Sequence, residues 1–334
     1  MQKVGLFFIT AVVAFIMSGC AQKVSMRALE PAEIDRAAYT KKVAVTDFYN
    51  DRVGLSSKIE ANLASVKIDN KNYFTMVSRN DFKKIIREQR IQNSGLMDPS
   101  TAVDVGNLIG AEAIISGHVG NASVQDSYFY EQRVRCADKK CKELRYYNVR
   151  CKKRIVGLSA ELRIVDVEKG DIIYAETMSP TSTFKHCADD SRALPSREMA
   201  AQELAIYIAN SFTYKLTPHY RSFHVTLLED PDLDYTDRQE KLLEVSLQYI
   251  EQSRYDKAEQ FLIQLIDSTR GQSYVALYNL GVIKEAQGKY QEAKELYSQA
   301  DHLMIEPVEE INEAVLRIDR LIEKRDKTRE QLNR

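Results

Sequence analysis

The feature that most limits what this chain of 334 residues can fold into is a change of hydrophobic period. It falls at one breaker-rich segment, Asp230-Pro231-Asp232-Leu233-Asp234. Before that segment, short apolar β-like runs alternate with stretches of helical spacing; beyond it every apolar pattern is helical. Lys42-Val43-Ala44-Val45-Thr46-Asp47-Phe48 and Tyr73 to Val77 read as strands. Val53 to Val66, with Leu55, Ile59 and Leu63 on one face, reads as a helix, as does Asp81 to Gln92 with Phe82, Ile85 and Ile86. A short helix from Ser100 to Leu108 precedes an apolar β-run, Ala113 to Val119. That order predicts a sheet with helices packed against it. From Ala122 to about Lys185 the chain is strand-rich, with hairpins near Lys139 and at Glu168-Lys169-Gly170. Glu198 to Phe212 is an amphipathic helix. The expected fold class is therefore α+β, a mixed sheet with packed helices, followed by an all-α domain.

The N-terminus reads as a signal. Lys3 is the only charge before an apolar run, Val4 to Met17, which gives way to Ser18, Gly19 and Cys20. The run falls short of the about 20 apolar residues that a spanning helix needs. Ile16-Met17-Ser18-Gly19-Cys20 resembles the lipobox of bacterial lipoproteins. That resemblance implies diacylation of Cys20, cleavage before it and acylation of the new N-terminus, and more than one acyl chain is what stable anchoring takes. An ordinary signal peptide cut elsewhere is the plainer alternative. By the habit of such lipoproteins, Ala21 after the cysteine implies sorting to the outer membrane, with the body on the periplasmic face.

Composition is that of globular material, 44% hydrophobic and 28% charged. A formal net charge of −1 leaves no basic excess to neutralise phosphates, which excludes nucleic acid as an expected partner. With Cys20 lipidated, four cysteines remain in an oxidising compartment: Cys136, Cys141, Cys151 and Cys187. Cys136 and Cys141 flank a polar turn, Ala137-Asp138-Lys139-Lys140, so a hairpin there sets them opposite each other. Pairing about Glu168-Lys169-Gly170 gives position sums near 338, which Cys151 and Cys187 also meet. The expected disulfides are thus Cys136–Cys141 and Cys151–Cys187, with four free thiols as the alternative.

Residues 42–119 resemble the periplasmic domain of the CsgG/HfaB family of outer-membrane lipoproteins. The likeness is carried by Phe74-Thr75-Met76-Val77-Ser78-Arg79, then by Ile85-Ile86-Arg87-Glu88-Gln89-Arg90-Ile91-Gln92-Asn93-Ser94-Gly95. It continues through Ala102-Val103-Asp104-Val105-Gly106-Asn107-Leu108-Ile109-Gly110-Ala111 and, farther on, Ile164 to Ile172. The resemblance implies a ring-forming protomer. In the curli export channel of this family each protomer lends two amphipathic β-hairpins to a shared barrel. Lipid-facing strands need about 9–11 residues with every second side chain apolar. Between Val124 and Lys153 one strand face carries Gln125, Glu131, Arg133 and Arg135 and the other Asp126 and Gln132, and the return strand adds Arg145, Arg150, Lys152 and Lys153. The space for a second hairpin, Met178 to Arg197, is short and holds Pro180 and Pro195. The family fold is expected; a pore is not.

The C-terminal helices resemble tetratricopeptide repeats. Tyr255-Asp256-Lys257-Ala258-Glu259 and Tyr290-Gln291-Glu292-Ala293-Lys294 recur 35 positions apart, close to the repeat's 34. Leu280-Gly281, Gly288, Tyr297 and Ala300 follow the repeat's order, and residues 310–332 form a capping helix. A generic helical-hairpin domain is the alternative. The domains expected are a signal at 1–19, a lipidated tether at 20–40, a CsgG-like α/β domain at 41–229 and a repeat-like domain at 230–334.

No catalytic pattern is present. His118, His186, His219, His224 and His302 are scattered, no zinc spacing or phosphate-cradling loop occurs, and no cofactor or metal is expected. The function expected is that of a non-enzymatic, lipid-anchored lipoprotein in assembly or secretion of an envelope structure. It self-associates as a homo-oligomer and binds envelope or secretion-machinery proteins through its repeats. The alternative is a protomer of a curli-type secretion channel.

Overall fold

A computed structural model describes residues 21–78, Lys84 and 97–333. The signal segment, Cys20 and, apart from Lys84, the helix expected over Asp81–Gln92 lie outside the described residues. The described residues divide into two compact units, one within 29–220 together with 324–333, the other of residues 21–28 with 221–323.

The larger unit holds a five-stranded mixed sheet. Its strands are β2 (Lys42–Val45), β5 (Thr75–Met76), β6 (Ala113–Val119), β9 (Ala160–Asp166) and β10 (Ile172–Met178), ordered β10-β9-β6-β2-β5. β2 runs parallel to β5 and β6, whereas β6–β9 and β9–β10 are antiparallel. Both faces are covered, which is why the central strands are apolar at consecutive positions. On one face Val43, Val45, Ile115, Leu162 and Ile164 pack with Leu55, Ile59 and Leu63 of helix α2 (Leu55–Ser65). Leu204, Ile208 and Phe212 of helix α4 (Arg197–Leu216) complete that core. On the other face Ala44, Ile114 and Val165 meet Ala102 and Val105 of helix α3 (Pro99–Ile109). Asp51 caps α2, its carboxylate accepting from the Leu55 and Ser56 amides at 2.8 and 2.9 Å. Gly106 is required by close packing, since a Cβ there would lie 2.3 Å from Val167 Cγ2, and Gly110 ends the helix at φ 64°.

The smaller unit is helical with a two-stranded margin. Helix α5 (Asp237–Glu251) and α6 (Tyr255–Ser268) form one antiparallel pair, α7 (Tyr274–Ala286) and α8 (Tyr290–Leu303) a second, and α9 (Glu309–Asn333) follows. Two successive helix pairs of this kind are consistent with tetratricopeptide-like repeats. Gly281 has the packing role expected of a small repeat residue, because a Cβ there would sit 2.6 Å from the buried Tyr297 ring. Lys284, where the repeat consensus prefers an aromatic, instead bridges Glu259 and Glu292 at 2.8 and 2.9 Å.

Two boundaries differ from those read in the sequence. The expected tether at 20–40 contains strand β1 (Lys23–Glu30) and helix α1 (Asp35–Tyr39). β1 pairs with β12 (His219–Thr226), and its buried Val24, Met26 and Ala28 join the core of the repeat unit with Val225 and Leu227. Alternate small apolar residues make one buried face, and the partner strand lies nearly two hundred positions away. The segment at Pro231 is also more than a linker. Asp232 accepts from Ser273 Oγ at 2.8 Å and from the Tyr274 amide at 2.5 Å, capping α7. At the other end, residues 324–333 belong to the α/β unit, where Gln331 Oε1 accepts from the Ala32 amide at 2.9 Å.

Candidate functional site

The strand-rich stretch forms a second sheet in the α/β unit, ordered β11-β8-β7, from β7 (Ser123–Cys136), β8 (Leu144–Gly157) and β11 (Thr181–Cys187). β7 and β8 pair over their full length, from Ser123–Gly157 to Cys136–Leu144, as a 14-residue ribbon. β11 covers β8 only from Gly157 to Cys151, so the outer part of the ribbon is two-stranded. Near the root, Val156 and the flanking Val124 and Phe184 join the core beneath α4.

Charge is paired across the ribbon rather than shed. Asp126 accepts from Arg154 at 2.8 and 2.9 Å and from Lys152 at 2.8 Å. The Arg154 and Lys152 partners hold the Asp126 carboxyl well below the usual carboxylate range. Farther out, Arg133 reaches Asp189 at 3.5 Å and Asp190 at 3.3 Å, while Glu131 binds Lys185. The Cys187 amide donates to Asp190, and that bond, with Arg133, lowers the pKa of the Asp190 carboxyl. Arg150 lies over the Tyr128 ring at 4.6 Å and Arg135 over Tyr147 at 5.4 Å.

Cys151 and Cys187 face each other in the β8–β11 register and are joined as a disulfide, Cα–Cα 3.9 Å, buried with Val149 against Phe129 and Tyr147. Cys136 is joined to Cys141 at a Cα–Cα distance of 4.7 Å. The expected four-residue turn is wider in the structure. Cys136 pairs with Leu144, and Cys141 sits inside the connection at φ 54°. Asp138 tightens that connection by accepting from the Lys140 and Lys142 amides at 2.9 and 3.0 Å. Glu131, Asp189 and Asp190 cluster around the Cys151–Cys187 pair. With the sulfurs bonded to each other, the cluster presents carboxylates alone and no thiolate ligand. The five histidines are not brought together: the His118 ring lies tilted against Tyr49 with centroids 5.3 Å apart, and His186 Nδ1 bonds the Arg192 carbonyl at 2.6 Å.

Neither ribbon face supplies the apolar alternation that lipid requires. Where a curli-type protomer would carry its second spanning hairpin, β10 and β11 have seven residues each, and only Ser179 and Pro180 separate them. β10 pairs with β9 and β11 with β8, so they do not form a hairpin with each other. No helix among the described residues is long and apolar enough to cross a membrane.

In the repeat unit, Glu285 is 3% exposed. It accepts from Arg317 Nε and Nη2 at 2.8 and 3.0 Å and from the Tyr297 hydroxyl at 2.6 Å, which locks α7, α8 and α9 together. This triad was not legible in the sequence, because its members lie on three helices and each alone reads as a solvated polar residue.

Residues 35–128 match the family described as curli production assembly/transport component CsgG. That stretch runs from α1 through β2, β5 and β6 of the sheet into the start of the ribbon. No curated protein matches the chain. Among solved structures, lipoprotein GNA1162 from Neisseria meningitidis aligns over 52% of this chain and 97% of its own, at 11% identity and a TM-score of 0.28.

Proposed function

We propose that this chain, CsgG-like over residues 35–128, is a non-enzymatic, lipid-anchored envelope lipoprotein that assembles a secretion or surface structure. It is held through Cys20 on the periplasmic face of the outer membrane, self-associates, and engages machinery proteins through its helical repeats. The observation that carries this function is the pairing of a curli-assembly-type domain with a unit built of stacked helix pairs. Helical repeats stack to create extended surfaces suited to protein partners.

A curli-type channel protomer is the second reading, favoured by the family match. Against it stand the charged ribbon and the short β10 and β11, since a Lys or Arg at the bilayer midplane costs about 2–4 kcal/mol.

The test is recovery of partners with the tagged full chain from a detergent extract. A fixed set of envelope proteins is expected with the native chain. It should be lost from a chain carrying Ile263→Glu, Ile305→Glu and Leu316→Glu, three exposed apolar positions of the repeat unit. Recovery of the same set with both chains would show that the repeats are not the binding surface.

A further inference from the structure

Tyr130, Val134, Leu144 and Tyr146 are large apolar side chains standing in solvent on the outer ribbon, Tyr130 at 71% and Tyr146 at 63% exposure, and the exposed Tyr128 continues the row just inside it, where β11 still covers β8. In the β7–β8 register the even positions of one strand pair with even positions of the other. Alternation therefore puts all five on one face. Around that face the charge is one-sided. Alternation sends Arg133, Arg135 and Arg145 to the opposite face, so the cations beside the apolar groups are Arg150 on the face itself and Lys139, Lys140 and Lys142 in the turn, against Asp138 and Glu143. Arg133 is committed to Asp189 and Asp190, and the three turn lysines are exposed.

Edge protection explains the cations, because charged side chains keep an open strand from pairing with another chain. It does not explain the five apolar groups, which would make such an edge stickier. Tyrosine combines an apolar ring with a polar tip and collects where acyl chains meet headgroups. Clusters of four or more Lys and Arg beside such groups are drawn to anionic lipid. The face and its turn also supply fewer residues than the roughly 20–30 a side of a standard protein interface.

We propose that the outer β7–β8 ribbon, with its tyrosine face and its Lys139-Lys140-Cys141-Lys142 turn, is a peripheral contact for an anionic phospholipid surface. The face rests in the headgroup layer rather than crossing it, because Gln132, Asn148 and Arg150 interrupt the same face. Relevance in the cell rests on the envelope location proposed above; the contact itself does not.

The chain from Ala21 to Arg334 keeps every described residue and carries no acyl group. Sedimented with vesicles, it should bind phosphatidylglycerol-containing membranes at low salt, leave them at molar salt and ignore pure phosphatidylcholine. Each surface cation contributes about fivefold to such binding. Lys139→Glu, Lys140→Glu and Lys142→Glu together should therefore weaken it by roughly a hundredfold or more. The matching three Lys→Arg changes should leave it intact, which separates loss of charge from misfolding. Tyr130→Ser with Tyr146→Ser should weaken it while the salt dependence stays the same. Binding that ignores lipid charge overturns the proposal. So does absence of vesicle binding together with capture of an acidic protein by a photo-reactive group at position 130. Neither result bears on partner recovery through the repeats.

Discussion

Arg317→Met is expected to cost the repeat unit about 3–5 kcal/mol, the effect of stranding one charge of a buried pair. Glu285 is almost wholly enclosed, and Arg317 supplies two of the three hydrogen bonds that satisfy it. Removing the guanidinium leaves only the Tyr297 hydroxyl to satisfy a carboxylate that is almost wholly enclosed. The pKa of Tyr297 lies well above the ordinary phenol value, chiefly through burial and then through the Glu285 charge, so its proton stays to donate. Glu285→Leu with Arg317→Met should recover most of the loss, because replacing both partners removes the unpaired charge as well as the pair. Denaturant unfolding followed by helical circular dichroism reads both variants. A single variant within 1 kcal/mol of the parent would mean that the triad does not lock the helices.

Loss of the Cys151–Cys187 link is the second large effect. A cross-link closing 36 positions contributes about 3–4 kcal/mol in the chain-entropy account. Here it also pins β11 to β8 at the point where the sheet narrows to two strands. Cys151→Ser with Cys187→Ser should speed hydrogen exchange along β11 and the facing part of β8. Cys136→Ser with Cys141→Ser spans only 5 positions and should disturb the ribbon turn alone. Equal effects of the two pairs would contradict this assignment. So would alkylation of all four cysteines without reductant.

What the sequence made legible follows from how local each signal is. β6 has the expected bounds, Ala113–Val119, because a short apolar run between turn signals needs no distant partner to be recognised. α2, α3 and α4 appear near their expected places for the same reason, with a helical period and a cap. β1 was not legible: its buried face is three modest residues, and its partner β12 is remote in sequence. Nor was the membership of residues 324–333, since a helix of continuous period gives no sign of which core receives its end. At the ribbon, the cysteine register was readable from position sums. The width of its turn was not, because Cys141 adopts a left-handed backbone conformation that cysteine seldom signals. The exposed tyrosines were visible as letters, but only the β7–β8 pairing shows that they share a face.

The account as a whole turns on what holds the chain at the membrane. Fractionation of cells making Cys20→Ser, with a molar-salt wash to strip peripheral contacts, tests it most directly. With acyl chains as the anchor, the variant should be missing from the washed outer membrane, either released or left unprocessed in the inner membrane. A Cys20→Ser chain that resists the wash and stays in the outer membrane would show that strands hold it there, as in a channel, and would contradict the proposed function.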